Sequence, residues 1–535
     1  MNLSRMLFVS AIGALVVGAL SYTAHGTIAT VYVDKDVTED EPAGQGDDWG
    51  EDHAYKYLQD GLARAEYLLD NELADNVQVW VAEGTYYPDE DHNNPSGTGS
   101  RNASFYLLEH VQIYGGFNGT EDDVADRDVY LYETVLSGDI NTPNDASDNS
   151  YHVLRAEEVD NTAMLNGFII RDGYASGVCE MCGAGMWINE AYPVVILCTF
   201  TGNEACSAGG GLHMLDSSPG PCFVDCRFLD NVANNGAGVE SVNTRSYFIN
   251  CLFAGNSVDE DGGGMRISSN SDIGLVNCTF SRNDADDNGG GILLNVVADG
   301  TLSADNCIFW GNTDGGPADE SEQISDTTGG APFVNVDIEY CCIEDENPHD
   351  EFIPFGGAYK HNIDDDPDFK DANNAIYRLC ITSPCIEAGD QSKTASDSYD
   401  IDHDSDTSEK TPDLDLLDRV MPDANPHEVD MGAYEFRCYA DANEDCSVDV
   451  HDLTTILNNW GDCDDPCPPY CTGDVNHDCT VDADDLQMVL DQWGCGEDDP
   501  GDPPAGIDDC IDLYGDDYEE LKSCIDTILL TQGGG

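Results

Sequence analysis

A six-residue motif that returns five times at a nearly constant interval constrains this chain more than any other feature. Cys198-Thr-Phe200-Thr-Gly-Asn203, Cys226-Arg-Phe228-Leu-Asp-Asn231, Cys251-Leu-Phe253-Ala-Gly-Asn256, Cys278-Thr-Phe280-Ser-Arg-Asn283 and Cys307-Ile-Phe309-Trp-Gly-Asn312 share the form Cys-x-Phe-x-x-Asn. Their asparagines lie 28, 25, 27 and 29 residues apart. Four of the five are followed by a glycine triplet or near-triplet: Gly209-Gly-Gly211, Gly236-Ala-Gly238, Gly262-Gly-Gly264 and Gly289-Gly-Gly291. Leu165-Asn-Gly-Phe168-Ile-Ile170, followed by Gly183-Ala-Gly185, is a diverged first copy. A period of this length with apolar alternation inside each copy calls for short strands joined by corners, not helical pairs. At a rise of about 3.3 Å per residue, about three strands plus corners use up one period, and successive turns stack at about 4.8 Å. Cys and Phe are expected to point inward, with Ile249 and Val276 before them. The asparagines would hydrogen-bond the turns above and below, and the glycines supply backbone angles that a side chain forbids. The stacked cysteines read as packing: five equivalent inward positions cannot all pair, and Cys is a small apolar residue.

These motifs resemble the Phe-x-x-Asn and Gly-Gly-Ala-Ile type repeats of polymorphic outer-membrane-protein β-helices, within the right-handed parallel β-helix superfamily that includes pectate lyases. The resemblance covers residues 164–312. It implies a mainly β fold, a single-stranded solenoid spanning residues 27–436. An amphipathic helix near 53–70 would cap the open end, and Val77-Gln-Val-Trp-Val81 and Val111-Gln-Ile-Tyr114 read as early strands. Asp364-Asp-Asp-Pro-Asp-Phe369, Ser383-Pro-Cys385 and Val429-Asp-Met-Gly-Ala-Tyr434 resemble the terminal coils and cap of such proteins.

Nearer the C-terminus a second duplication carries different chemistry. Asp441, Asn443, Asp445, Ser447, Asp449 and Asp452, and again Asp474, Asn476, Asp478, Thr480, Asp482 and Asp485, fall at fixed positions of two twelve-residue loops. Oxygen side chains at positions 1, 3, 5, 9 and 12, with a backbone carbonyl at 7, are how such a loop wraps a hard cation, so two calcium ions are expected. Each loop runs into the same amphipathic pattern, Leu453/Ile456/Leu457/Trp460-Gly461 and Leu486/Val489/Leu490/Trp493-Gly494. The tandem, residues 437–497, resembles the type I dockerin family, a small all-α, EF-hand-like module. That resemblance implies a cohesin-like or other surface protein as partner. Both loops place cysteine, Cys446 and Cys479, at position 6, where the sharp turn ordinarily uses glycine. At positions 10 and 11, where dockerins read their partners, the chain has Val450-His451 and Ala483-Asp484.

Residues 1–26 have the layout of a cleavable export signal: a short basic start, an apolar run and small residues before the cut. No later stretch is apolar enough to span a membrane, so the mature protein is expected to be secreted or held at the cell surface. Twenty-two cysteines in an exported chain read as disulfides more readily than thiolate metal sites. Cys463, Cys467 and Cys471 lack ordinary zinc spacing. After a linker at 498–506, residues 507–535 read as a short helical tail that a Cys510–Cys524 disulfide could clip. The formal net charge is −86, from 106 acidic and 20 basic side chains. Such self-repulsion calls for a cation-rich medium and makes nucleic acid a poor partner.

No catalytic residue stands out. Asp259-Glu260-Asp261 and Asp284, Asp286 and Asp287 would stack on one corner as a calcium site, a general acid/base pair or a solvated acidic edge. Asn312-Thr-Asp314-Gly315 matches one polygalacturonase motif, but its partner motifs are absent and its Asn is the fifth repeat corner. Arg227, Arg245, Arg266 and Arg282 occupy unmatched positions for a lyase base. The sequence favours an adhesive, structural or polysaccharide-binding body, with a polysaccharide lyase or glycoside hydrolase as the alternative.

Overall fold

In the computed structural model the repeats form a parallel β-helix. The structure describes residues 27–38, 46–50, 53–176, 182–296, 300–315, 320–326, 336–345, 360–380, 382–401, 407, 409–416, 419 and 429–436. Beyond these it describes 448, 450–458, 460–462, 480, 481, 486, 489, 490, 507, 510, 511, 521, 522, 525 and 528. The expected export signal, 1–26, and the expected linker, 498–506, lie outside the described residues.

Each central coil contributes one strand to each of four parallel sheets, A to D in chain order. Sheet A runs from Ile28–Val33 to Val336–Glu339, and sheet B from Gly84–Tyr86 to Cys342–Ile343. Sheet C runs from Tyr174–Ala175 to Asp284–Ala285, and sheet D from Phe105–Tyr106 to Ile324–Asp326. The spacing argument expected three strands; the fourth is the short piece between asparagine and glycine, such as Val232–Asn235. Four strands fit because most are only three to five residues long and each corner consumes a single left-handed residue. Between sheets A and B these are Asp225, Asn250, Asn277 and Asn306, with φ from 52° to 55° except Asn277 at 50°. Between C and D they are Gly209, Gly236, Gly262 and Gly289, the first glycine of each triplet.

The expected columns are present. Phe200, Phe228, Phe253, Phe280 and Phe309 stack with ring centroids 5.0, 4.9, 4.1 and 5.2 Å apart. The asparagine side chains form a continuous ladder. Asn203 Nδ2 donates to Asn231 Oδ1 at 3.1 Å, Asn231 to Asn256 at 3.0 Å, Asn256 to Asn283 at 2.8 Å and Asn283 to Asn312 at 2.8 Å. Gln323 Oε1 ends it, accepting from Asn312 at 2.6 Å. The inward cysteines Cys198, Cys226, Cys251, Cys278 and Cys307 are free thiols, and Cys341 extends the column by one coil. Each thiol donates to the carbonyl two residues back, Cys251 to Ile249 at 3.3 Å for example. Burial pushes the Cys198 thiol well above its usual range.

Ile249 and Val276 do not share the interior with them. They lie on the outer face of sheet A, in a second apolar layer with Trp80, Tyr114, Phe117, Ile196 and Val224. Simple alternation back from Cys251 would turn Ile249 inward; the left-handed corner at Asn250 breaks the alternation, and Phe248 takes the inward place. The second layer is closed by a returning segment that supplies Ala395, Tyr399, Ile401 and Leu416. Asn250 Nδ2 donates to the Pro412 carbonyl, Asn277 Nδ2 to Asp430 at 3.2 Å and Asn306 Nδ2 to Asp390 at 3.1 Å. The described residues between 387 and 434 therefore lie against the coils and belong to the same compact unit. At the N-terminal end, the helix Leu58–Asp70 buries Leu58, Leu62, Ala65 and Leu68 in the cluster that contains Val31, Val33 and Val79.

The second unit, 366–386 with 435–535, contains the antiparallel pair Phe369–Asp371 and Ile376–Leu379 and the helix Val450–Asn458. Cys380 and Cys510 each belong to a disulfide; Cys524, the expected partner of Cys510, lies outside the described residues.

Asn256→Ala removes one rung of the amide ladder and orphans its neighbours, so it is expected to lower unfolding free energy by about 3 kcal/mol in a denaturant titration. In the native state a thiol reagent should label none of the six column cysteines, and all of them after unfolding.

Candidate functional site

Sheet D presents the outward row with the most varied chemistry. Leu154, Met186, Leu212, Val239, Met265 and Ile292 fill its inward positions. The next residue in each strand points outward, and the parallel register aligns Tyr106, Arg155, Trp187, His213, Glu240, Arg266 and Leu293 in one row. Neighbours along the row are one coil apart, about 4.8 Å.

The row is open at its N-terminal end and closed further along. Tyr106 is 43% exposed, whereas His213 is 7% and Glu240 2% exposed. The Arg155 guanidinium lies over the Trp187 ring at 4.6 Å and the Tyr106 ring at 5.8 Å, with Nε 2.8 Å from Glu157. The His152 ring stacks on Trp187 at 6.1 Å. Glycine lets the C-to-D corner sit directly on the buried part: a Cβ on Gly209 would come within 2.8 Å of His213 Cβ, and one on Gly236 within 2.9 Å of Glu240 Oε2. Glu240 Oε1 accepts from Ser268 Oγ at 2.8 Å and lies 3.3 Å from Arg266. Glu240 Oε2 and His213 Nδ1 are buried without a hydrogen-bond partner.

Burial pushes the Glu240 carboxyl up to about 7 despite the opposing pull of Arg266 and Ser268. It pushes His213 down to about 4, with His152 acting in the same direction. Near neutral pH the row thus holds a carboxyl able to give a proton, an uncharged imidazole able to take one and two guanidinium groups, which are the ingredients of acid–base chemistry. Sequence reading overlooked this row because its members differ from coil to coil. A signal existed: each stands two places after the last glycine of its corner, as in Gly185-Met-Trp187, Gly211-Leu-His213, Gly238-Val-Glu240 and Gly264-Met-Arg266. Arg266, unmatched along the chain, is matched across it.

The acidic corner stacks as expected on sheet C, with Asp286 N donating to the Val258 carbonyl at 3.2 Å and Asp287 N to Glu260 at 3.0 Å. Its carboxylates accept from side chains of neighbouring coils: Glu260 from Asn235 and Asp261 from Asn288, both at 2.8 Å. Among the described residues no three His, Cys, Asp or Glu side chains are grouped to hold a metal. Of the other lyase-base candidates, Arg227 donates to the Leu414 carbonyl at 2.9 Å, and Arg245 pairs with Asp272 at 3.1 Å.

Of the twelve loop oxygens expected to hold calcium, Asp441, Asn443, Asp445, Ser447, Asp449, Asp474, Asn476, Asp478, Asp482 and Asp485 lie outside the described residues, as do Cys463, Cys467 and Cys471. Asp452, at position 12 of the first loop, is fully buried within the helix Val450–Asn458, whose Leu453, Ile456 and Leu457 are buried too. Thr480 belongs to the two-residue strand Thr480–Val481, antiparallel to Gly461–Asp462. A buried carboxylate at that loop position, with an otherwise all-oxygen donor set, fits a hard cation.

A family model for the right-handed β-helix region matches residues 159–328, the coils that carry the amide ladder and most of the sheet D row. The crystal structure of pectate lyase Pel9A is similar with a TM-score of 0.38 at 12% identity, covering 77% of this chain and 97% of that one. The crystal structure of the deglycosylated pectin methylesterase from Aspergillus niger gives a TM-score of 0.26 at 12% identity, covering 57% and 92%. No curated protein matches.

The two buried groups set opposite limits on stability. The folded state holds the Glu240 proton more tightly than the unfolded chain, so stability is lost as pH rises from 4.5 towards about 7. The unfolded chain takes up the His213 proton that the folded state refuses, so stability is lost as pH falls from 6.5 towards about 4. Wild type is expected to lose up to about 3 kcal/mol relative to Glu240→Gln between pH 4 and 8, measured by denaturant titration at each pH.

Proposed function

We propose that this chain is an exported, calcium-dependent β-helix protein of the extracellular space or cell surface that binds polysaccharide along sheet D. The observation that carries this reading is the accessible part of one row across successive coils, Tyr106, Arg155 and Trp187, with Arg266 further along it beyond the buried His213 and Glu240. Flat aromatic faces accept the apolar faces of sugar rings, and guanidinium groups pair with carboxylates or hydroxyls. In a chain of net charge −86, such a row is a local exception to a surface that otherwise repels anions.

Residues 437–497 would serve as a dockerin-like module. Asp441, Asn443, Asp445, Ser447, Asp449 and Asp452 would hold one calcium ion, and Asp474, Asn476, Asp478, Thr480, Asp482 and Asp485 a second. The ions neutralise clustered carboxylates and fix the loops against the helices that follow. The module would attach the β-helix to a cohesin-like or other surface protein. No helix among the described residues is long and apolar enough to cross a membrane, which is consistent with attachment of that kind.

One observation favours a second reading, a carbohydrate-active enzyme. Glu240 retains a proton near neutrality beside the uncharged His213, and such a pair can act as acid and base on a glycosidic linkage or a neighbouring carbon.

Incubation with a polysaccharide panel in calcium decides between the two. Retention of one polymer without new reducing ends or unsaturated products, weakened about tenfold by Trp187→Ala, supports the binding role. Products that disappear in Glu240→Gln establish the enzyme, and a panel that neither binds nor reacts refutes both. Excess chelator is expected to melt the isolated 437–497 module; an unchanged thermal transition removes calcium from the account.

A further inference from the structure

We infer that a second, separate cleft, beside Tyr340 and His361, binds the end of a neutral oligosaccharide. Asn250, Asn277 and Asn306 occupy successive corners between sheets A and B, and each spends its side-chain amide on the returning segment. The next corner is Tyr340, at the same left-handed angle of 55° but without an amide. Its ring stacks on His361, with centroids 4.6 Å apart and planes 11° from parallel. His361 is left-handed as well, at 60°. Asparagine tolerates this conformation far better than tyrosine, so the fold keeps one strained ring, stacked on His361, where an amide would continue the pattern. An aromatic pair kept at a corner where the neighbouring coils use asparagine points to a use for its ring surface.

The rings form one wall of a cleft of about 620 Å³, whose other walls include Glu387, Asp390, Ser392 and Lys410. That volume falls in the range of small-ligand sites. The cleft is held rigid from behind. Asp390 N donates to Asn306 Oδ1 at 2.8 Å, Gly389 N to the Val429 carbonyl at 2.8 Å and Ser392 N to Asp390 Oδ1 at 2.9 Å.

The charges select the ligand. Lys393 is committed to Asp305 and Glu339, each at 2.7 Å, Lys360 to Asp337 and Glu339, and Lys410 Nζ to the Thr394 carbonyl at 2.6 Å. Lys393 and Lys360 are paired with carboxylates, and the walls set Glu387 and Asp390 against Lys410 alone, so a uronate or sulfate finds no net positive charge there. A neutral sugar meets an aromatic face for its C–H surface and carboxylate and hydroxyl acceptors for its hydroxyls.

Titration calorimetry of the full chain with neutral cello-, xylo-, manno- and galacto-oligosaccharides, and with oligouronates, tests this. At least one neutral series is expected to bind, with affinity about tenfold weaker or worse in Tyr340→Asn and within about twofold of wild type in Tyr340→Phe. Tyr340→Asn restores the residue favoured at this corner, so its thermal midpoint should match or exceed wild type, which separates lost binding from lost folding. Trp187→Ala should leave this binding unchanged, so the test stands apart from that of the sheet D row. Absence of binding by every neutral series, oligouronate binding that Tyr340→Asn weakens, or full binding of the neutral series by Tyr340→Asn overturns the inference.

Discussion

Everything in the β-helix depends on the way each coil turns its corners. A single left-handed residue reverses the outward direction of the chain without spending length, which lets a coil of about 27 residues close on four strands. L-residues resist that conformation, and asparagine, aspartate and glycine resist it least. The next requirement is that neighbouring coils agree in register, because a slip of one residue would exchange inside for outside along a whole strand. The buried ladder from Asn203 to Gln323 enforces the agreement. From Asn231 to Asn312 each side-chain carbonyl accepts both the backbone N–H and the side-chain amide of the preceding rung, as Asn256 does from Asn231 at 3.1 and 3.0 Å. A displaced coil would leave those buried groups unpaired, at a cost of about 1–3 kcal/mol for each group.

Properties repeated along the chain were legible in its sequence, and properties created by stacking were not. The period, the inward Phe and Cys, the Asn corners and the glycine angles repeat often enough to be read directly. The inward assignment of Ile249 and Val276 failed because period-2 alternation assumes an unbroken strand, whereas the left-handed residues Asn250 and Asn277 each reset the phase. The asparagines at those corners went unread even though Asn250-Cys, Asn277-Cys and Asn306-Cys recur, since their partners are backbone carbonyls of residues 390, 412 and 430, which carry no sequence signature. The sheet D row was hidden for a related reason. Trp187, His213, Glu240 and Arg266 share a position but no chemistry, so only alignment of the coils brings them together.

The scarce cations explain how so acidic a chain holds its shape. Arg419 is fully buried and reaches Asn250 Oδ1 at 3.1 Å and the carbonyls of Gly432 and Ala433 at 3.1 and 2.8 Å. Arg127 reaches the Gly115 carbonyl at 3.0 Å and Asn166 Oδ1 at 2.7 Å. These guanidinium groups satisfy carbonyls at corners and straps, where a planar, permanently charged fork serves better than an ammonium. Basic side chains used internally cannot offset surface carboxylates. The outer surface is left to be neutralised by ions from the medium, and its net repulsion weakens as salt shortens the screening length.

The same division of labour locates the open faces of the solenoid. The outer face of sheet A is an apolar layer covered by Ala395, Tyr399, Ile401 and Leu416, and by Trp49 near its start. The outer face of sheet B carries the strap: Arg227 and Tyr130 bind the Leu414 carbonyl, and Thr279 Oγ1 accepts from Ala433 N at 3.0 Å. Sheet C ends in carboxylates that neighbouring asparagines bind. Sheet D alone among the four presents aromatic, cationic and acid–base side chains together, with no described segment of the strap bonded to that row. The row proposed for polysaccharide therefore lies on a sheet whose outer side chains make no described bond to the strap.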